Sequence, residues 1–300
     1  MILRAALMTL SLTFLGCGDQ GVGSGVSRAE IVDGEVTTEF DTVAAIGLRR
    51  VRCDEAPVVM CSGTLIAPDA VLSAAHCFVP ARPGLQYEVF FDDAAEAGTR
   101  SIGVLAVETH PGFDADTRAD DVAVLWLAHP VTDRAPEALP APSSPAPEIG
   151  LGVELVGFGT TTPGSVPDGI KRVGTGRVTT VSAGTAWVDP DPSVSCAGDS
   201  GGPLFTRGAP RTLIGVASSG DPGCRKNSVY ALIAPAVEPF LDPLLQSGPP
   251  TDIPEPEPCG AEPTTPAAGG CAVQGEASLG SLIWGIALWL ALVIHRRGRP

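Results

Sequence analysis

The stretch from Cys196 to Leu204 reads CAGDSGGPL. Ser200 stands in it between an aspartate and two glycines. A serine hydroxyl is a weak nucleophile until a neighbouring base takes its proton. Glycines let backbone N–H groups approach a reacting carbonyl closely. The plainer reading is a tight glycine turn that happens to hold a serine. The nucleophile reading makes demands on the rest of the chain: a base, a group to orient that base, and a pocket for substrate.

The chain carries four histidines, at 76, 110, 129 and 295. GDSGG also satisfies G-x-S-x-G, the nucleophile elbow of α/β-hydrolases, where an acid and then a histidine follow the serine. Only His295 follows Ser200, beyond a long apolar stretch, so that arrangement fails for want of a histidine. Upstream, CSGTLIAPDAVLSAAHC spans Cys61 to Cys77. It reads as two apolar strands about a Pro-Asp turn, ending with His76 beside Cys77. ADDVAVLWLAHPV follows, with apolar residues alternating after Asp121 as in a half-buried strand. Asp120 is adjacent, but Asp121 directly precedes the strand. His76, Asp121 and Ser200 are 45 and 79 residues apart, so they meet only through the fold. Taken singly they are a structural histidine, a strand-end aspartate and a turn serine. Taken together, the order His, Asp, Ser is one of the known serine-hydrolase orders.

Four motifs carry a resemblance. IVDG (Ile31 to Gly34), SAAHC (Ser73 to Cys77), DVAVL (Asp121 to Leu125) and GDSGGP (Gly198 to Pro203) occur in the order found in chymotrypsin/trypsin-like serine endopeptidases, with GFG (Gly157 to Gly159) where that family usually has Gly-Trp-Gly. The resemblance covers Ile31 to about Leu245 and implies an all-β fold. Two antiparallel β-barrels would place the active site in the cleft between them, joined through APEALPAPSSPAPEIG near 135–150. It implies that His76, Asp121 and Ser200 are catalytic and that the N–H groups of Gly198 and Ser200 form the oxyanion hole. It pairs Cys61 with Cys77 and Cys196 with Cys224, and it pairs the freed amino group of Ile31 with Asp199 after activation. Cleavage after Arg28 would leave two residues too many, so activation is expected between Glu30 and Ile31. The pocket floor falls at Val194, with Ser195 beside it and Ser218, Ser219, Gly220 and Ser228 around it. With no acid at the floor, small or medium apolar side chains are expected before the scissile bond. The rival reading on the same scaffold is a catalytically silent binding protein.

Ser219 departs from the family's tryptophan. The C-terminal helix expected near 233–246 contains Pro235, Pro239 and Pro243, so it is expected to be short or broken. Cys53 and Cys259 are left over, either paired with each other or free.

The elements that must position these residues fit the composition. With 36 Gly, 29 Pro and few aromatics, the chain reads as many short strands joined by turns. The roughly 215 residues from Ile31 to Leu245 suffice for a sizeable core. A net charge of −15 argues against nucleic acid, which selects basic surfaces. His110 and His129 lack ligand-like spacing, so neither metal nor organic cofactor is implied. Polypeptide is the expected partner.

The two ends read as targeting segments. Residues 1–16 read as a signal peptide, and FLGC, ending at Cys17, resembles a lipoprotein lipobox. Residues 17–30 are then leader or propeptide, 31–245 the peptidase domain, and 246–270 a Pro-rich acidic stalk. Ala277 to Ile294 is an uncharged stretch of 18 residues before Arg296, Arg297 and Arg299, about the shortest that spans a bilayer. With Cys271 ahead of it, the segment 271–300 resembles the MYXO-CTERM sorting tails of certain Gram-negative bacteria. Export to the cell surface, outer membrane or medium is expected, where disulfides are permitted.

Overall fold

The computed structural model describes residues 31–254, apart from 82, 83 and 183, together with residue 256. The sequence readings on 1–30, including Cys17, and on Cys259, Cys271 and the apolar stretch 277–294 lie outside the described residues. Among the described residues, no helix is long and apolar enough to cross a membrane.

Twelve of the thirteen strands among the described residues build two six-stranded barrels. In the first, β2 (Val43–Leu48), β3 (Val58–Ala67), β4 (Ala70–Ser73), β5 (Tyr87–Phe90), β6 (Ile102–Thr109) and β7 (Ala123–Leu127) close in the order β2-β3-β4-β7-β6-β5. The strands are rich in Val, Ile and Leu, which fit a pleated half-buried surface. β3 and β4 pair with Ala67 opposite Ala70, so Pro68 and Asp69 form the turn.

The second barrel uses β8 (Gly152–Gly157), β9 (Arg172–Ser182), β10 (Thr185–Pro190), β11 (Pro203–Thr206), β12 (Leu213–Gly220) and β13 (Ser228–Leu232). Their order is β9-β10-β13-β12-β11-β8, and β8 pairs back onto β9 to close it. Along β9, inward Arg172, Gly174, Gly176 and Val178 alternate with more exposed neighbours. That two-residue period fixes which face enters the core.

Both ends of the domain cross between the barrels. β1 (Glu35–Val36) precedes the first barrel in sequence but pairs with β9 of the second. Ile31 is buried in the second barrel's core among Val153, Leu155 and Tyr230. At the other end the chain runs through α1 (Ala234–Ala236), a π-helical turn (Val237–Leu241) and α2 (Asp242–Ser247). The expectation of a short, interrupted helix holds, and the prolines explain it. Pro235 and Pro243 sit in the first turns of α1 and α2, where a missing N–H costs little. Pro239 falls in the wider π-helical turn between them. This run buries Val237, Phe240 and Leu241 against a core that contains Phe90 and Trp126 of the first barrel and Phe205 of the second.

Candidate active site

His76 lies on a 3-10 turn, Ala75–Cys77, directly after β4. The disulfide from Cys77 to Cys61 on β3 ties that turn to the barrel wall. Asp121 lies two residues before β7 and is fully buried. It faces His76 with both oxygens. The His76 N–H donates to Oδ1 at 2.9 Å, and His76 Nδ1 lies 2.7 Å from Oδ2. The Ser218 hydroxyl also donates to Oδ2. Burial pushes the Asp121 carboxyl up, but the hydrogen bonds and charge of His76, with the Ser218 bond, outweigh it and hold the group below the usual carboxylate value. The neighbouring Asp120 is half-exposed and turns instead toward His110 at 3.8 Å. The structure thus separates the two aspartates that the sequence sets side by side.

Ser218 reaches Asp121 because β12 carries a register shift against β13 between Ala217 and Ser219. A bulge of this kind re-aims a side chain. Sequence pattern gave no sign of it. The sequence reading placed Ser218 by the pocket but not against Asp121, and it missed Arg118, whose Nη1 is 3.9 Å from Asp121 Oδ2 on the approach to β7.

Ser200 lies on the loop between β10 and β11. It lines a cavity of about 200 Å³ together with Ser195, Ser218, Ser219, Gly220 and Asp221. The Cys196–Cys224 disulfide joins two sides of this cavity, with Cα atoms 5.3 Å apart. Val194 does not reach the wall, contrary to the expectation that it forms the floor. It is 2 % exposed and pairs with Val32, one residue behind the wall that Ser195 presents. Ser228 is buried and accepts hydrogen bonds from both the Ser195 N–H (2.9 Å) and its hydroxyl (2.7 Å).

Asp199, beside Ser200, is 2 % exposed. Its Oδ1 accepts the Gly159 N–H and its Oδ2 the Cys196 N–H, each at 2.8 Å. Burial pushes this carboxyl up to about 6, against the pull of those two bonds and the Arg172 charge. The close fit explains the glycines of GFG. A Cβ on Gly159 would come 2.6 Å from the carboxylate carbon, and one on Gly157 2.3 Å from its oxygen. Gly198 has φ +95°, a region that glycine occupies without steric penalty.

Cys53 is disulfide-bonded too. Among the described residues, no group of three or more His, Cys, Asp or Glu is placed to hold a metal ion.

The chain is similar to several known proteins to different extents. Serine protease 56 of Mus musculus is 30% identical over 277 residues, covering 80% of this chain and 44% of the mouse protein, so the match spans less than half of that relative. A protein named trypsin from Saccharopolyspora erythraea is 31% identical over 193 residues, covering 58% of this chain and 82% of its own length. The solved structure titled human heparin binding protein superposes with a TM-score of 0.60 at 20% identity, over 72% of this chain and 97% of that one, which speaks to the fold alone. The family model described as Trypsin matches residues 35–241, which reach from β1 to the end of the π-helical turn. With two closed barrels and the cavity beside Ser200, this match shows that the chain belongs to the trypsin family of serine proteases.

Proposed function

We propose that the protein is an exported endopeptidase that cleaves peptide bonds through an acyl-enzyme, with His76, Asp121 and Ser200 as its catalytic residues. The observation that carries this reading is the buried Asp121 carboxylate gripping both the backbone and the ring of His76 while accepting the hydroxyl of Ser218, which lines the cavity with Ser200. Nδ1–H bound to the carboxylate leaves Nε2 free to take the Ser200 proton as Oγ attacks the scissile carbonyl. His76 then returns that proton to the leaving amine. Asp121 stabilises the imidazolium and keeps the ring in one tautomer. The N–H groups of Gly198 and Ser200 receive the developing oxyanion, where one donor is worth roughly 3 kcal/mol of barrier. Water then attacks the acyl-enzyme and His76 acts again as base. A fluorophosphonate, which captures activated serines, tests this. Wild type should label, Ser200→Ala should not, and Ser247→Ala, on the C-terminal helix, should label like wild type. An unlabelled wild type would mean a binding protein on this scaffold.

The pocket supports cleavage after small or medium uncharged side chains. Its volume is modest, and Ser195 and Ser228 satisfy each other rather than present a charge. A lysine or arginine there lacks a buried counter-ion, which costs several kcal/mol. Asp221 lines the cavity too, with its carboxylate accepting the Arg225 N–H at 3.0 Å. The test is kcat/KM over peptides differing only at that side chain. Ala, Val, Leu or Met should lead, and a tenfold preference for Arg or Lys would assign the pocket to Asp221.

Activation by cleavage between Glu30 and Ile31 belongs to the same reading. It is supported by a buried Asp199 that, among the described residues, is held by two backbone N–H groups and the more distant charge of Arg172. The paired cysteines suit an oxidising compartment outside the cytoplasm. Removal of residues 1–16, an acidic stalk over 246–270 and a processed tail over 271–300 complete the proposal for surface display.

A further inference from the structure

Ser62 sits in the middle of β3, next to Cys61, and is fully buried. A buried hydroxyl without partners is costly, about 1–3 kcal/mol. Here every polar atom of the residue is engaged, and all but one engage the second barrel. The Ser62 N–H donates to the Ser200 carbonyl at 2.7 Å. Its Oγ donates to the Gly198 carbonyl at 2.9 Å and accepts the Phe158 N–H at 3.0 Å. Its own carbonyl accepts the Ser73 hydroxyl at 2.8 Å. The hydroxyl has one proton to give. With Phe158 taking a lone pair, that proton is directed to Gly198.

We infer that Ser62 is a positioning residue for the oxyanion hole, acting from the first barrel on the peptide plane that follows Gly198. This rests on the reading of Ser200 as the nucleophile. Gly198 has no side chain, so the peptides on either side of it rotate more freely than elsewhere in the loop. The 198–199 peptide is pinned at both ends. Ser62 holds its carbonyl, and the Asp199 N–H donates to the Cys196 carbonyl at 3.1 Å. With that plane fixed, the Gly198 N–H is aimed from a held end of the residue, through φ and ψ of Gly198 alone. Without the hydroxyl the carbonyl end is released and the buried Phe158 N–H loses its acceptor. The donor then spends part of its time pointing away from the oxyanion.

The test is Ser62→Ala and the near-isosteric Ser62→Cys, each assayed per active site titrated with a phosphonate. Ser62→Ala should lower kcat about tenfold with KM within twofold, a fraction of the ~100-fold typical when a donor itself is removed. Its affinity for a peptidyl trifluoromethyl ketone, whose adduct with the serine carries an oxyanion, should fall by a similar factor. Ser62→Cys, a weaker donor, should fall between Ala and wild type, and it decides the question if Ser62→Ala does not accumulate. A drop in Tm with kcat and ketone affinity unchanged in both variants would reduce Ser62 to a structural role and overturn the inference. Failure of the underlying reading looks different: wild type would not label, or Ser200→Ala would still turn over.

Discussion

Asp121 and Asp199 are both out of solvent, and their surroundings push them in opposite directions. Asp121 is met by His76 and Ser218 and is held below the ordinary carboxylate value. Its contribution to stability is present at neutral pH and is lost as pH falls through its folded value. Asp199 is met by two backbone donors but dominated by burial, which pushes it up to about 6 from 3.8. The unfolded chain therefore releases this proton first, so stability should fall as pH rises from about 4 to about 6, by about 3 kcal/mol. Chemical denaturation of the chain still carrying Glu30 should show this slope, and Asp199→Asn should flatten it. After cleavage before Ile31, a new ammonium paired with Asp199 should also remove the slope. Identical slopes before and after cleavage would sink the activation proposal. The residues best read from sequence were those whose neighbours along the chain carry the signal, such as His76 beside Cys77 and Ser200 among its glycines. Ser62 was not legible, because a single serine inside an apolar strand looks the same whether its hydroxyl is idle or holds a loop.

The strands of each barrel announce themselves by apolar runs, and the β3–β4 turn by its Pro-Asp pair. β1 does not: two exposed residues carry no period, and their partner lies far along the chain. The displacement of Val194 from the pocket has a similar origin. Position relative to Ser200 locates a residue along the loop, but pairing with Val32 decides which face it turns to. The Cys196–Cys224 bridge acts at this scale, because it closes the loop that forms both sides of the cavity. Cys196→Ala with Cys224→Ala should cost about 2–5 kcal/mol of stability. Because the bridge shapes the pocket more than the His76–Asp121 pair, KM should rise more than kcat falls. Steady-state kinetics well below the lowered Tm would show the split, and a loss confined to kcat would place the bridge's effect at the nucleophile instead.

Across the whole molecule, the leading segment lies on the second barrel and the trailing helix packs where the two barrels meet. Phe240 is central to the second contact, 8% exposed and edge-on to the His110 ring at 5.0 Å. Phe240→Ala should cost about 3 kcal/mol. Because the helix shares its core with both barrels, calorimetry should show one transition at lower Tm. Two resolved transitions would mean that the barrels are thermodynamically independent. The placement of β1 also sets an order in time. Val36 pairs with Arg172, 136 residues further along. A chain emerging at about 5–20 residues per second therefore exposes the first of these about 7–27 s before the second. For that interval the first barrel can close by itself while the leading strand waits, unpaired, for a surface that does not yet exist. The finished cavity is thus among the last features to form, and a half-emerged chain would have His76 and Asp121 but not yet Ser200.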